Sequence, residues 1–346
     1  MGNFIQLHLL TNYGPSNLNR DDLGRPKTAV VGGVQRLRVS SQSLKRAWRT
    51  SEIFEEALSG HIGTRTKEMG KKIYDDLVKK GVPEKKAKDW AVSIAGVFGK
   101  CKKDSFEIEQ LAHFSPEEIV GIDALVEKLS KGKSDPTDED LKLLRKNHTA
   151  ADISMFGRML ADSPWANAEA AVQVAHAFTV HKTAVEDDYF SAVDDLNTGE
   201  EHSGSGHIGE AEFGAGLFYL YICIDRNLLV ENLGGNKELA EKAVKALIET
   251  SAIISPTGKQ NSFASRAYAS YILAEKGEKQ PRSLAVAFLK PVSGEDVLTN
   301  AINALETTLD NFGKAYGCET TPSEKLNTLK PNGGTLAKVI EFCTRE

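Results

Sequence analysis

The run GAGLFYLYICIDRNLLV at 214–230 is the strongest strand signal in this 346-residue chain. Aromatic and β-branched side chains follow one another there, and such residues fit a pleated, packed surface. One strand cannot stand alone, and the other candidates lie far off in sequence. FIQLHLL at 4–10 alternates weakly. VQRLRV at 34–39 alternates cleanly, with Val34, Leu37 and Val39 apolar and with Arg36 and Arg38 sharing one face. SRAYASYILAEKG at 265–277 and RSLAVAFLKPV at 282–292 also read as strands, and 168–181 reads as a strand or a buried helix.

Helical spacing fills the intervals. Ser40 or Ser41 caps a helix that runs to about Leu58. From His61 to Ala166 the segments at 67–80, 83–98, 115–129 and 137–147 are all helix-like. Pro116 follows Ser115 at a first helical position, and Thr137-Asp138-Glu139-Asp140 reads as another helix start. Further helices are expected over 237–254, 294–317 and 336–346. Tyr13–Asn17 and Ser255–Gln260 read as turns. The order is strand, strand, helix, helical insert, strand, helix, strand, strand, helix. It predicts an α+β fold with helices against a sheet, ferredoxin-like or RNA-recognition-like.

Several classes of function drop out early. No stretch approaches the ~20 apolar residues of a membrane span. The first residues lack the basic start and apolar run of a signal peptide. The cysteines, at 101, 223, 318 and 343, form no CxxC, and the histidines form no HExxH, so no metal, disulfide or cofactor is expected and a cytoplasmic setting fits. Gly258-Lys259 lacks the glycine spacing of a phosphate loop. The aromatic signature of RNA-recognition sheets is absent too, which speaks against base stacking on an open sheet face.

Charge points somewhere definite. Between Asn19 and Thr50 stand eight bases (Arg20, Arg25, Lys27, Arg36, Arg38, Lys45, Arg46, Arg49) and two acids (Asp21, Asp22), a local +6 in a chain of net charge −5. Gly32-Gly33 and Ser40-Ser41-Gln42-Ser43 interrupt the bases, and Gln42, Lys45 and Arg49 share a helix face. A helix start offers backbone N–H groups to a phosphate. The pattern is that of a polyanion site. The opposite extreme lies at Lys182–Glu212, with nine acids and one lysine, a balance of −8. That segment reads as an exposed hairpin or loop that phosphate would repel.

LNRDD at 18–22, Gly32-Gly33, RVSSQSLKRA at 38–47, AVDDL at 192–196 and ENLGG at 231–235 resemble the backbone subunit of type I-E CRISPR Cascade, the CasC family. The likeness runs from the N-terminus through ENLGG, with little of it in 61–150. It implies an RNA-recognition-like palm (1–60 and 167–346), helical fingers (61–166) and a thumb hairpin (182–212). It also implies a non-catalytic scaffold whose head-to-tail copies coat the spacer of a crRNA. Each thumb flips one base, and the others are left to pair with target DNA. The implied partners are the crRNA, the crRNA–DNA heteroduplex, neighbouring copies, and the large, small, guide-5′-end and guide-3′-end subunits. Carried over residue by residue, the family's RNA contacts fall on Arg20, Lys27, Ser40, Gln42, Lys45, Arg46 and Arg49. They continue with Met159 after Gly157-Arg158, with Phe190 and Ser191 on the thumb, and with Lys259 and Gln260.

Blander readings stand beside these. Lys45, Arg46 and Arg49 could be a solvated helix face. By residue type alone, Met159 and Phe190 belong in a core. His8 is expected to be packed or hydrogen-bonded. Asp21-Asp22 and Asp194-Asp195 could hold Mg²⁺ in a ribonuclease of the same superfamily, against the plainer reading of turn aspartates. The acids of the hairpin are expected to face the basic patch or the finger helices of a neighbouring copy.

Overall fold

The computed structural model describes residues 3–132, 134–192 and 207–345. In chain order the elements are β1 (Phe4–Ser16), β2 (Thr28–Val31), β3 (Val34–Val39), α1 (Ser41–Arg49), α2 (Glu52–Ala57), β4 (Thr64–Thr66), α3 (Met69–Lys79), α4 (Glu84–Gly96), β5 (Ala112–Phe114), α5 (Pro116–Gly132), α6 (Ala151–Phe156), β6 (Val172–Val174), β7 (Ala177–Thr179), β8 (Glu186–Ala192) and β9 (His207–Asp225). Then follow α7 (Arg226–Asn232), α8 (Lys237–Ile253), α9 (Gln260–Phe263), β10 (Ala269–Gly277), α10 (Val297–Tyr316), β11 (Ser323–Asn327) and α11 (Leu336–Thr344). The α+β class expected from the element order is the one observed. Among the described residues, no helix is long and apolar enough to cross a membrane.

Two compact units divide the chain. The first holds residues 1–54, 174–224 and 244–346; the second holds 55–173 and 225–243. The first is built on a sheet ordered β11-β10-β1-β9-β7-β3-β2, and β8 pairs with the outer part of β9. β1 pairs antiparallel with β10 from Phe4↔Gly277 to Leu10↔Tyr271, and a bulge follows before Thr11↔Ala269. Ile5 to Leu10 are all buried, which explains why their alternation was weak: a strand covered on both faces loses its polar period. α10 closes one side, where Ala301, Ile302 and Leu305 pack with Leu10, Tyr219, Tyr271 and Leu273. His8 lies in this core. Its Nδ1 faces the Tyr219 hydroxyl at 2.9 Å and its Nε2 faces Glu275 at 3.1 Å. Arg282 holds the same carboxylate through two bonds of 2.6 and 2.8 Å.

β2 and β3 form a two-residue hairpin with Val31 opposite Val34. Gly32 and Gly33, at φ +60° and +79°, adopt the left-handed pair such a turn needs. A side chain at Gly32 would also strike the Leu289 carbonyl, since its Cβ would lie 1.7 Å from that oxygen.

The second unit has its own core, in which Met69, Ile73 and Leu77 of α3 meet Trp90 and Ile94 of α4 and Ile122, Leu125 and Leu129 of α5. α5 begins at Pro116 as expected. Glu118 closes a capping box with Ser115, its Oε2 accepting the Ser115 amide at 2.9 Å.

Five expectations are corrected. The strand expected over 214–230 ends at Asp225, whose side chain accepts the Leu228 amide at 3.0 Å and caps α7. The residues Tyr13–Ser16 continue β1 and form no turn: Ser16 donates to the Gly214 carbonyl at 3.4 Å and Tyr13 packs edge-on to Phe218. The helix from Ser40 breaks at Thr50-Ser51, where Ser51 Oγ donates to the Trp48 carbonyl at 2.7 Å and accepts the Phe54 amide, starting α2. At Thr137–Asp140 the capping bonds form (Thr137 Oγ1 to Asp140 at 2.8 Å), but no helix follows. Leu143 and Leu144 are both buried, and the next amide, Arg145, donates to Glu118 at 2.8 Å, so the chain is drawn off a helical path. The residues 282–292 are no strand but hold a 3₁₀ turn at Ala285–Phe288. Leu284 and Phe288 are buried while Val286 and Leu289 are about half exposed, a helical rather than a two-residue period.

Candidate nucleic-acid interface

The basic segment of the first unit is shaped by backbone bonds before any charge acts. The Lys27 amide donates to the Asn19 carbonyl at 2.8 Å, and the Lys27 carbonyl accepts the Arg38 amide at 2.7 Å. The Asn19 side chain accepts the Ser40 amide at 2.9 Å. Ser40 Oγ in turn accepts the Ser43 amide at 3.3 Å, and the Ser40 carbonyl accepts that of Leu44. The loop, the end of β3 and the start of α1 are thereby stapled together. Of the first-turn donors of α1, this cap leaves over the amides of Ser41 and Gln42. Ser40 itself is buried, so its hydroxyl shapes the site from below.

On α1, Leu44, Ala47 and Trp48 face inward. At 100° per residue, Gln42, Lys45, Arg46 and Arg49 then occupy an arc of roughly 100° on the outer side. Gln42 and Arg46 are exposed; Lys45 and Arg49 are half-buried. Burial pushes the Lys45 ammonium below its usual pKa, and an anion beside it would reverse that penalty. Arg20 is exposed and Lys27 partly so.

The structure removes one cation from the cluster and adds a partner to another. Arg36 is wholly buried, its guanidinium donating to the carbonyls of Thr179 at 2.9 Å and Phe288 at 3.0 Å. Arg36 and Arg38 do share a face of β3, but that face is covered at Arg36 and partly open at Arg38, so the expected two-arginine surface carries Arg38 alone. That side chain donates to His176 Nδ1 at 2.7 Å. His176 is exposed, and its pKa is lowered by partial burial and then by the nearby Arg38 and Lys27. Sequence reasoning passed over His176. Only the antiparallel register Arg38↔Phe178 and Val39↔Ala177 brings it there.

Two further segments of this unit converge on the loop. The turn 255–260 is seated on it so closely that a Cβ on Gly258 would lie 2.3 Å from the Leu18 carbonyl oxygen. Lys259 follows in the left-handed conformation, φ +43°, and Gln260 opens α9. At the root of the acidic hairpin, the Asn17 side chain donates to the Glu212 carbonyl at 2.9 Å, and Arg25 pairs with the Glu212 carboxylate at 3.0 Å. Farther out, β8 is exposed at every position. Phe190 lies opposite Gly209 and Ser191 opposite Ile208, and the Phe190 ring covers Gly209, where a Cβ would come within 2.4 Å of it. The dyad Asp194-Asp195 and the acids Glu200 and Glu201 lie outside the described residues. Asp21 serves its loop: its Oδ1 accepts the amides of Leu23 and Arg25, each at 2.9 Å.

Met159 belongs to the second unit. Residue type placed it in a core, yet it is 77% exposed. Its neighbour Arg158 is the buried one, paired with Glu118 at 2.7 Å. Arg158 also donates to the carbonyls of His113, Arg145 and Ala166 at 3.0–3.1 Å. The backbone of Arg158 exchanges two bonds with Ala168, at 2.9 and 3.0 Å. A rigid support thus holds an apolar side chain in solvent. Phe190 is likewise 43% exposed.

Within the first unit, exposed cations and spare amides suit the backbone of a polyanion, and the exposed Phe190 ring suits a base. A comparison with curated proteins gives no match. Among solved structures, a chain of a "CRISPR RNA-guided surveillance complex, pre-nicking" is similar, with a TM-score of 0.84, 30% identity and 99% of each chain covered. A chain of a "CRISPR RNA-guided surveillance complex" is similar with a TM-score of 0.63 and 26% identity, over 99% of this chain and 98% of that one. The likeness therefore extends through the region beyond 237 and through 61–150, where motifs alone carried little. The model of the CT1975-like proteins matches residues 5–339, and the chain belongs to that family.

Proposed function

We propose that this protein is the guide-RNA-binding backbone subunit of a type I-E CRISPR Cascade. Copies assemble head to tail along the crRNA spacer. The hairpin at 182–212 displaces bases at regular intervals, and the remaining bases pair with target DNA. The large, small, guide-5′-end and guide-3′-end subunits complete the particle, and this chain cuts nothing itself. The observation that carries this reading is the stapled junction: two spare amides at the start of α1, with Arg20, Lys27 and Arg38 on one side and Lys45, Arg46 and Arg49 along the helix. Such a site grips phosphate and ignores base identity. The descriptions of the two similar structures point the same way. Asp21 fits the plainer reading of a turn aspartate, since its Oδ1 accepts the amides of Leu23 and Arg25.

The test is Lys45→Ala with Arg49→Ala, measured by filter binding on guides of unrelated sequence over a salt series. Affinity falls about 10- to 100-fold on every guide. The slope of log K against log salt shrinks by about 1.4, at about 0.7 per lost contact to a single strand. Loss confined to one sequence would contradict the reading. So would regular cuts in a complementary RNA incubated with protein, guide and Mg²⁺, which would mark a ribonuclease.

A further inference from the structure

From Thr250 to Ala274 the chain contains no acid, while Lys259 and Arg266 stand among Ser255, Thr257, Gln260, Asn261, Ser262 and Ser265. In composition this repeats the basic segment near the N-terminus, and the fold sets the two side by side. Ser255 closes the loop: its Oγ accepts the Ala267 amide at 2.9 Å and donates to the Ala267 carbonyl at 3.3 Å. Gly258 rests against Asn17 and Leu18. Phe263 packs on Phe213 at the root of the acidic hairpin, with ring centroids 6.0 Å apart. Two of the three non-glycine residues with left-handed φ among the described residues, Lys259 and Ala264, lie in this one loop. Such conformations persist only where the surroundings enforce them. The loop is therefore held firmly between the junction and the hairpin. On it Arg266 is exposed and Tyr268 is 70% exposed. Tyr268 immediately precedes the β10 residue that pairs with Thr11 of β1.

We propose that Arg266 and Tyr268 form a second contact element for single-stranded RNA, in which Arg266 binds a phosphate and the Tyr268 ring stacks on an adjacent base. The proposal rests on the RNA-binding reading above and extends it to residues that no motif marks. Stacking accepts any base because each has a π face, and a cation beside the ring fixes the strand that presents it. A loop held at both ends keeps the ring in place, so little conformational freedom is lost when RNA arrives.

The experiment uses the full chain and a uniform-length spacer RNA in which each position in turn carries 2-aminopurine. Tyr268→Leu lowers affinity about 5- to 150-fold, the range set by the cost of losing one stacked base, and abolishes quenching at one position of the repeat. Tyr268→Trp restores affinity, and its own emission is quenched by RNA. Arg266→Ala reduces the salt slope by about 0.7. Both side chains are exposed, and equal melting temperatures of the variants confirm that folding is intact. If Tyr268→Leu binds as the parent does while Lys45→Ala with Arg49→Ala loses affinity, the stacking element is wrong and the junction stands. If neither variant loses affinity, both readings fall.

Discussion

The junction around α1 and the tripeptide Gly157-Arg158-Met159 solve opposite problems. At the junction the apolar residues Leu44, Ala47 and Trp48 are inside and the cations outside. At 157–159 the cation is inside, with four partners, and the methionine is outside. Each arrangement leaves in solvent the group that suits one part of a nucleotide: charge for the phosphate, a soft apolar tip for the base. Residue type alone reads the first correctly and the second backwards. An arginine becomes structural once carbonyls and a carboxylate satisfy its donors, and its neighbour is then free to face solvent.

That contrast can be broken most severely at Arg158. Replacing it with alanine leaves Glu118 charged and buried, a loss of about 3–5 kcal/mol, whereas Met159→Ala changes stability by no more than about 0.5 kcal/mol. Urea unfolding of the two variants checks this, and equal losses would mean the polarity of the tripeptide is misread. A smaller effect is expected at the junction. Ser40→Ala removes the cap of α1 and costs about 1 kcal/mol, while Ser40→Thr keeps most of it. Thermal unfolding measures the loss, and RNA affinity should fall with it because the cap positions the spare amides.

The mildest effect concerns pH. His176 titrates below 6.5 in the folded chain and near its usual value when unfolded. The unfolded state therefore holds more protons in between, and stability declines as pH falls through that window. Bound phosphate favours the protonated ring, so RNA affinity rises modestly from pH 7.5 to 5.5 at constant ionic strength. His176→Gln flattens that rise. An unchanged pH profile in the variant would place His176 outside the RNA path.

The legible part of the site was the local part. The helix start at Ser40 or Ser41 and the shared face of Gln42, Lys45 and Arg49 each depend on a few consecutive residues, and each is found as read, with Ser40 as the cap. Arg36 was misassigned because a strand shows its period but not what covers either face. The 3₁₀ turn at 285–288 was misread for a similar reason: a short apolar run has no length from which to tell a period of two from one near four. The broken start at Thr137 shows a cap overruled by a distant carboxylate, that of Glu118.

By itself the sequence determined most of the element types, the α+β class, the concentration of charge at 19–50 and its opposite at 182–212, all set by side-chain chemistry over short spans. Tertiary structure decided which cations reach solvent, that His176 stands beside Arg38, that the loop 255–268 lies against Asn17 and Leu18, and that Met159 is presented rather than buried. Those outcomes depend on strand register and on partners as far apart in sequence as Arg36 and Phe288, 252 positions. Exposure is a property of the packed chain, and no local pattern encodes it.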